Sequence, residues 1–221
     1  MRVMVIAPHP DDELLGVGGT LIKRKLAGYK LAWVIVTSIS EANGWDKALV
    51  KEKIKQIENI RDLVGFDNVY KLDFPATSID SIPIKKIVSS LSQCIHDFEP
   101  DEIFIPSMSD VHTDHQVTHK AAISCVKWFR NPTIKKVLVY ETLSETNFGL
   151  GRNSCFNPNV YINIEDSFEK KIYCLRSYDA ETGVFPFPRS EIAIAALAQL
   201  RGSAAGYKYA EAFELLIERL D

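Results

Sequence analysis

The sequence predicts an α/β chain folded as one Rossmann-like, doubly wound domain around a mostly parallel sheet. Three observations carry this. Short apolar runs alternate with amphipathic stretches along most of the 221 residues, the order that builds βαβ units. The early runs are continuous rather than alternating, as strands buried on both faces require. No low-complexity tract, internal repeat or linker divides the chain, and a chain of this length buries about 70% of the surface its unfolded form exposes, enough for one core without disulfide or metal staples.

Residues 3–7 (VMVIA) form the first expected strand, ended by Pro8. Residues 14–27 then carry apolar side chains at helical spacing until Gly28 stops them. The pattern repeats with a strand at 31–37 (LAWVIVT), a loop rich in Ser, Asn and Gly, and a helix over 46–64 closed by Gly65. A third strand at 69–74 and a helix over 83–97 follow. The fourth strand is 102–106 (EIFIP), then a polar loop, a helix over 114–129 and a fifth strand at 136–142. Residues 144–159, with Gly149, Gly151 and Pro158, read as a long irregular loop, a feature that is often functional in a compact domain. One more strand is expected at 160–164, and helices near 167–176 and 190–201 flank the segment GVFPFP at 183–188.

Composition narrows the function. With 26 basic against 29 acidic residues the formal charge is −3, without the positive excess that phosphate backbones demand, so nucleic acid is not an expected partner. No apolar stretch is long enough to span a bilayer, and the N-terminal apolar run is too short for a signal peptide, which points to the cytoplasm. Cys94, Cys125, Cys155 and Cys174 form no C-x-x-C pair and read as reduced, mostly buried thiols. Composition leaves homo-oligomerisation open.

Two polar clusters follow predicted strands: Pro8-His9-Pro10-Asp11-Asp12-Glu13 after the first, and His112-Thr113-Asp114-His115 after the fourth. In the doubly wound strand order 3-2-1-4-5, strands one and four are neighbours where the order reverses, and ligands bind outside the carboxyl ends of the strands at that point. Clusters about a hundred residues apart would therefore face each other across one crevice. Together they offer histidine and carboxylate ligands of the kind a catalytic zinc takes, with surplus acids and imidazoles for proton transfer. Each cluster alone has a plainer reading: Asp11, Asp12 and Glu13 as acids at a helix start, and Asp114 as the N-cap of the next helix.

Gly16-Val17-Gly18-Gly19 also follows the first strand, but a dinucleotide fingerprint would need glycine at position 21, which is Leu21, and an acid at the end of the second strand, where Val36-Thr37-Ser38 stands. These glycines are expected to allow close packing of helix on sheet. His96 and His119 read as structural and Trp33 as core, while Trp45 and Phe148 are loop aromatics able to stack on a sugar ring.

The two clusters resemble those of the zinc-dependent PIG-L/LmbE-like de-N-acetylases, which remove acetyl groups from N-acetylated amino sugars and their conjugates. The resemblance runs on through Lys171, Tyr178, Glu181, Pro188-Arg189-Ser190, Arg201-Gly202, Gly206 and the run Tyr209 to Phe213, so that residues 1–221 are expected to form a single such domain. It implies that His9, Asp12 and His115 bind one Zn²⁺, that Asp11 is the general base, and that His112 faces the scissile carbonyl oxygen. Ligand chemistry leaves Fe²⁺ and Co²⁺ open. An imidazolium at His112 would stabilise the oxyanion, and Asp114 would fix an imidazole's orientation and tautomer. Where many members carry an arginine and a glutamate on the second helix, this chain has Lys53 and Gln56; where some have a tyrosine two residues before the first histidine of the second cluster, it has Asp110; and Phe187 stands where relatives often have histidine. Lys53 and Arg189 offer positive charge for a phosphate or carboxylate on the substrate.

The expected activity is hydrolysis of the acetamide of a small N-acetylated sugar or glycoconjugate, releasing acetate. The alternatives are a zinc amidohydrolase acting on another N-acyl conjugate and a metal-holding carbohydrate-binding protein without turnover.

Overall fold

The computed structural model describes residues 1–149 and 155–220, so part of the 144–159 loop, Gly151 included, lies outside the described residues. Seven strands, β1 (Arg2–Ala7), β2 (Lys30–Ser38), β3 (Asn68–Pro75), β4 (Glu102–Pro106), β5 (Lys136–Tyr140), β6 (Val160–Asn163) and β7 (Ala210–Glu218), form one sheet in the order β3-β2-β1-β4-β5-β7-β6. Among the described residues six α-helices pack on it: α1 (Asp12–Leu26), α2 (Lys47–Val64), α3 (Ile84–Phe98), α4 (Thr113–Cys125), α5 (Glu165–Leu175) and α6 (Glu191–Ala205).

The expected 3-2-1-4-5 order is present and parallel throughout. Two features differ from the sequence reading. The C-terminal segment, to which no element was assigned, is β7, inserted antiparallel between β5 and β6. The helix expected to reach 129 stops at Cys125, whose carbonyl accepts a bond from the Asn131 side chain.

Strand alternation splits the core in two. Val3, Val5 and Ala7 of β1 face one side with apolar residues of α1, α2, α5 and α6; Met4 and Ile6 face the other with α3 and α4. Both faces of β1 are therefore covered, which explains its uninterrupted apolar run. Gly16 lets α1 approach β5: a Cβ there would collide with the Tyr140 ring and lie 2.8 Å from the Glu141 carbonyl oxygen. The glycines thus serve packing, as expected. Lys171 and Glu211 form a buried ion pair at 2.7 Å, and the Glu211 carboxylate also accepts the backbone N–H of Gly19 and Thr20, tying β7 to α1. The four cysteines are unpaired, with Cys94, Cys125 and Cys174 buried and Cys155 exposed.

Candidate active site

The loops leaving β1 and β4 meet because these strands are parallel neighbours. His9, Asp12 and His115 converge there: Asp12 Oδ2 lies 3.4 Å from His9 Nδ1 and 3.3 Å from His115 Nε2. Their ligand atoms all fall within 4.8 Å of one another, close enough to hold one metal ion. A second group, His9, His112 and Asp114, meets the same spacing, but Nδ1 of its His112 accepts the backbone N–H of Asp114 at 3.1 Å. Asp12 Oδ1 is buried and finds no hydrogen-bond partner among the described residues, an arrangement whose cost a cation would remove. Two imidazole nitrogens and a carboxylate are a donor set suited to a catalytic zinc, so the residues present fit the ion.

Each imidazole is oriented by its own acid. His9 Nε2 is 3.0 Å from Asp114 Oδ2, which also accepts the Thr77 backbone N–H at 2.7 Å. His115 Nδ1 is 2.7 Å from Asp110 Oδ2, and Thr146 Oγ donates to the other oxygen of Asp110 at 2.6 Å. These bonds leave His9 Nδ1 and His115 Nε2 turned toward Asp12. Asp114 is therefore no N-cap: His112 occupies that position, and Asp114 is buried beneath it.

Asp11 sits at the N-cap position of α1, yet its side chain makes no capping bond. It turns instead to Arg189, whose Nη1 lies 2.7 Å from Asp11 Oδ2. Its φ of 135° is a strained, left-handed value, held in place by Glu13, whose carboxylate accepts the Asp11 N–H at 3.0 Å and the Tyr178 hydroxyl at 3.1 Å. Burial raises Glu13 well above the ordinary carboxylate range.

The charges are strongly coupled. Burial and the adjacent Asp12 carboxylate push Asp11 up to about 7, against the pull of Arg189. Burial opposes charge on His9 and His115, but bonds to Asp114 and Asp12 raise His9 to about 9, and Asp12 and Asp110 raise His115 to about 10. Burial would raise Asp12, yet those two imidazoles hold it well below the usual range. Burial and the nearby His9 lower His112. Nδ1 already accepts a backbone N–H, which leaves Nε2 as the donor of this ring and, with the lowered pKa, works against an imidazolium.

A cavity of about 610 Å³ opens from this cluster, within the range that encloses a drug-sized ligand. His9, Asp11, His112 and Arg189 line it, together with Trp45, Lys53 and residues from the first turns of α2. Lys53 and Arg189 thus reach the cavity, but neither is a free cation. Lys53 Nζ is 2.8 Å from Glu181, and Arg189 contacts Asp11, Glu145 and, at 3.7 Å, Glu181. Phe148 does not line the cavity, and His119 bonds the Pro106 carbonyl as a structural residue. Sequence reasoning missed Asp110 as an orienting acid and Glu13 with Tyr178 as the brace of Asp11; the signal for Asp110 was its place two residues before His112.

Several known proteins are similar to this chain in sequence and fold. The family model described as PIG-L, GlcNAc-PI de-N-acetylase, matches residues 4–126, which include both clusters. The chain is 22% identical over 220 residues to the diacetylchitobiose deacetylase of Thermococcus kodakarensis, covering 95% of this chain and 81% of that one. It is 23% identical over 191 residues to a probable N-acetyl-alpha-D-glucosaminyl L-malate deacetylase 2 of Bacillus cereus, covering 82% and 84%. Its fold matches the N,N'-diacetylchitobiose deacetylase of Pyrococcus horikoshii with a TM-score of 0.78 at 22% identity, over 98% of this chain and 84% of that one. A zinc-inhibited teicoplanin deacetylase superposes with a TM-score of 0.77 at 15% identity over the whole of both chains. The family match spans more than half of the sequence and holds the residues that build the site: the chain belongs to the PIG-L family.

Proposed function

We propose that residues 1–221 form one zinc-dependent deacetylase domain that hydrolyses the acetamide of an N-acetylated amino sugar or its conjugate to acetate and a free amine. The observation that carries this reading is the convergence of His9, Asp12 and His115 around an unpartnered, buried Asp12 oxygen, next to a cavity that His9 and the non-ligating carboxylate of Asp11 line. The names of the relatives support the reaction class.

Bound zinc would supply Lewis acidity, polarising a carbonyl and making a water acidic enough to lose its proton near neutral pH. Asp11 is placed to accept that proton. A carboxyl poised at about 7 is competent both to take a proton from the attacking water and to return it to the departing amine. Arg189 holds one oxygen of Asp11, which fixes the direction in which the other presents itself. His112, neutral and protonated on Nε2, donates toward the carbonyl oxygen where negative charge develops, while the Asp114 backbone N–H on Nδ1 keeps the ring in that tautomer. Asp114 and Asp110 hold the two ligating imidazoles in register for the ion.

No helix among the described residues is long and apolar enough to cross a membrane; the proposed reading is of a cytoplasmic enzyme acting on a small-molecule substrate. The test is acetate release from N-acetylated amino sugars by the zinc-loaded protein, abolished by chelation and restored by Zn²⁺. Zinc-loaded protein that releases no acetate from any simple or conjugated N-acetyl sugar would return the site to a binding role.

A further inference from the structure

Two chemically different sets of residues line the cavity. Besides the polar residues, its wall carries an apolar set from the end of β2 and the start of α2, namely Ile39, Trp45, Leu49, Val50, Ile54 and Ile57. Helical spacing accounts for the wall. Positions 50, 54 and 57 recur on one side of α2, and Ile57, Ile60 and Val64 carry the stripe on into the core. Its first turns project past the core. Ile54 is 44% exposed and Trp45 37% exposed, and both face the cavity. Apolar groups gathered on a concave wall are a binding feature when no part of the fold covers them.

The charged residues beside this wall do not favour an anion. Lys53 is paired with Glu181, and Arg189 with Asp11 and Glu145. Lys71 and Asp73 reach the cavity as one charge of each sign. A phosphate or carboxylate would have to displace those acids and then sit against their charge. An apolar group needs neither step.

We propose that the wall formed by Trp45, Leu49, Val50 and Ile54 is a subsite for an apolar aglycone, an alkyl or aryl group joined to the amino sugar on the side away from its acetamide. This proposal stands in place of the expectation that Lys53 and Arg189 select an anionic group. It rests on the deacetylase reading of the site, and the experiment separates the two. Methyl, butyl and hexyl glycosides of N-acetylglucosamine, and a hexyl glycoside ending in a carboxylate, are titrated into the zinc-loaded protein by calorimetry, below any micelle concentration. Acetate release is followed on the same series.

The dissociation constant should fall by roughly threefold to fourfold for each methylene that becomes buried, and by at least tenfold from methyl to hexyl. The carboxylate-ended chain should bind more weakly than hexyl. In Leu49→Gln and in Ile54→Gln, both at positions outside the packed core, the dependence on chain length should flatten. Binding that is independent of chain length, a preference for the carboxylate-ended chain, or an unchanged slope in both variants overturns the subsite. If the series binds with the expected slope but releases no acetate, the deacetylase reading fails and the subsite stands; if acetate appears at equal efficiency from every member and binding is flat, the reverse holds.

Discussion

Arg189 Nη1 donates to Asp11 Oδ2 at 2.7 Å, so the proposed general base is held by a guanidinium from the other end of the chain. Asp11 is buried beside the Asp12 carboxylate, and Arg189 is the main counter-charge that keeps it from rising further. Arg189→Ala should therefore raise the Asp11 pKa above about 7. Because the ionised carboxylate is the base, the acidic limb of kcat/KM should move to higher pH, with activity reduced at pH 7 and partly recovered near pH 9. Arg189→Lys should recover part of the shift, since a point charge restores attraction without the guanidinium's geometry. A changed KM with an unmoved acidic limb would make Arg189 a substrate contact instead.

Asp11 and Asp12 are adjacent in sequence and differ in what they face. Asp12 points at both imidazoles, Asp11 at Arg189. Asp11→Asn should lower turnover by about 10²–10⁴-fold and leave one zinc per chain, because it removes a base and not a ligand. Asp12→Asn should lose zinc and activity together. Metal content and rate measured on the same samples decide it, and loss of zinc from Asp11→Asn would reverse the two assignments.

His112→Ala should reduce kcat by about 10²–10³-fold with a smaller change in KM, as expected of a donor that acts on charge in the transition state. The neutral ring makes a further claim. Burial and His9 hold the His112 pKa below its ordinary value, so its active form persists as pH rises. An imidazolium donor would instead give a rate that falls as the pH rises through the lowered His112 pKa. A descending limb there in wild type, absent from the His112→Ala variant, would restore the charged donor.

Much of this was legible in the sequence because the chemistry lies within two short runs, each beginning where a continuous apolar strand ends. His9, Asp12 and His115 needed only the 3-2-1-4-5 order to meet, and that order holds. What stayed hidden depends on long-range placement. Ala210–Glu218 is built largely of Ala, Glu and Leu, which favour helix. It becomes a strand because β5 and β6 pair with it and Glu211 is anchored on α1. In one dimension Lys53 and Arg189 read as positive charge for a substrate or for structural salt bridges; only the fold shows Glu181 and Glu145 beside them. Asp110 looked like a missing tyrosine, whereas in space it holds the buried ring of His115.

That last contact can be tested. Asp110→Asn keeps the size of the side chain and removes the charge that supports the His115 tautomer. Zinc affinity should fall by about 10–100-fold, the usual consequence of losing an acid behind a ligating histidine. Chelator competition measures it, with Asp114→Asn as the matching change behind His9. Unaltered affinity in Asp110→Asn would leave its carboxylate as a link to Thr146 alone.

Zinc uptake should also release protons. Without the ion, His9 and His115 hold protons up to about 9 and about 10, because each faces Asp12 and a second acid. A metal takes only the neutral ring, so at pH 7 binding must expel a proton from each. The sign follows directly: raising the pH strengthens binding, and well below both pKa values the apparent affinity should climb by up to about a hundredfold per pH unit, flattening as the pH approaches 9 and 10. Proton release on zinc addition, followed with an indicator dye in weak buffer at pH 7, should approach two per ion, and chelator competition at pH 6, 7 and 8 should give the matching slope. His115→Ala should retain at most one of the two protons and bind zinc far more weakly. Affinity that does not vary with pH, with no proton released, would mean that the ion does not enter between these two rings.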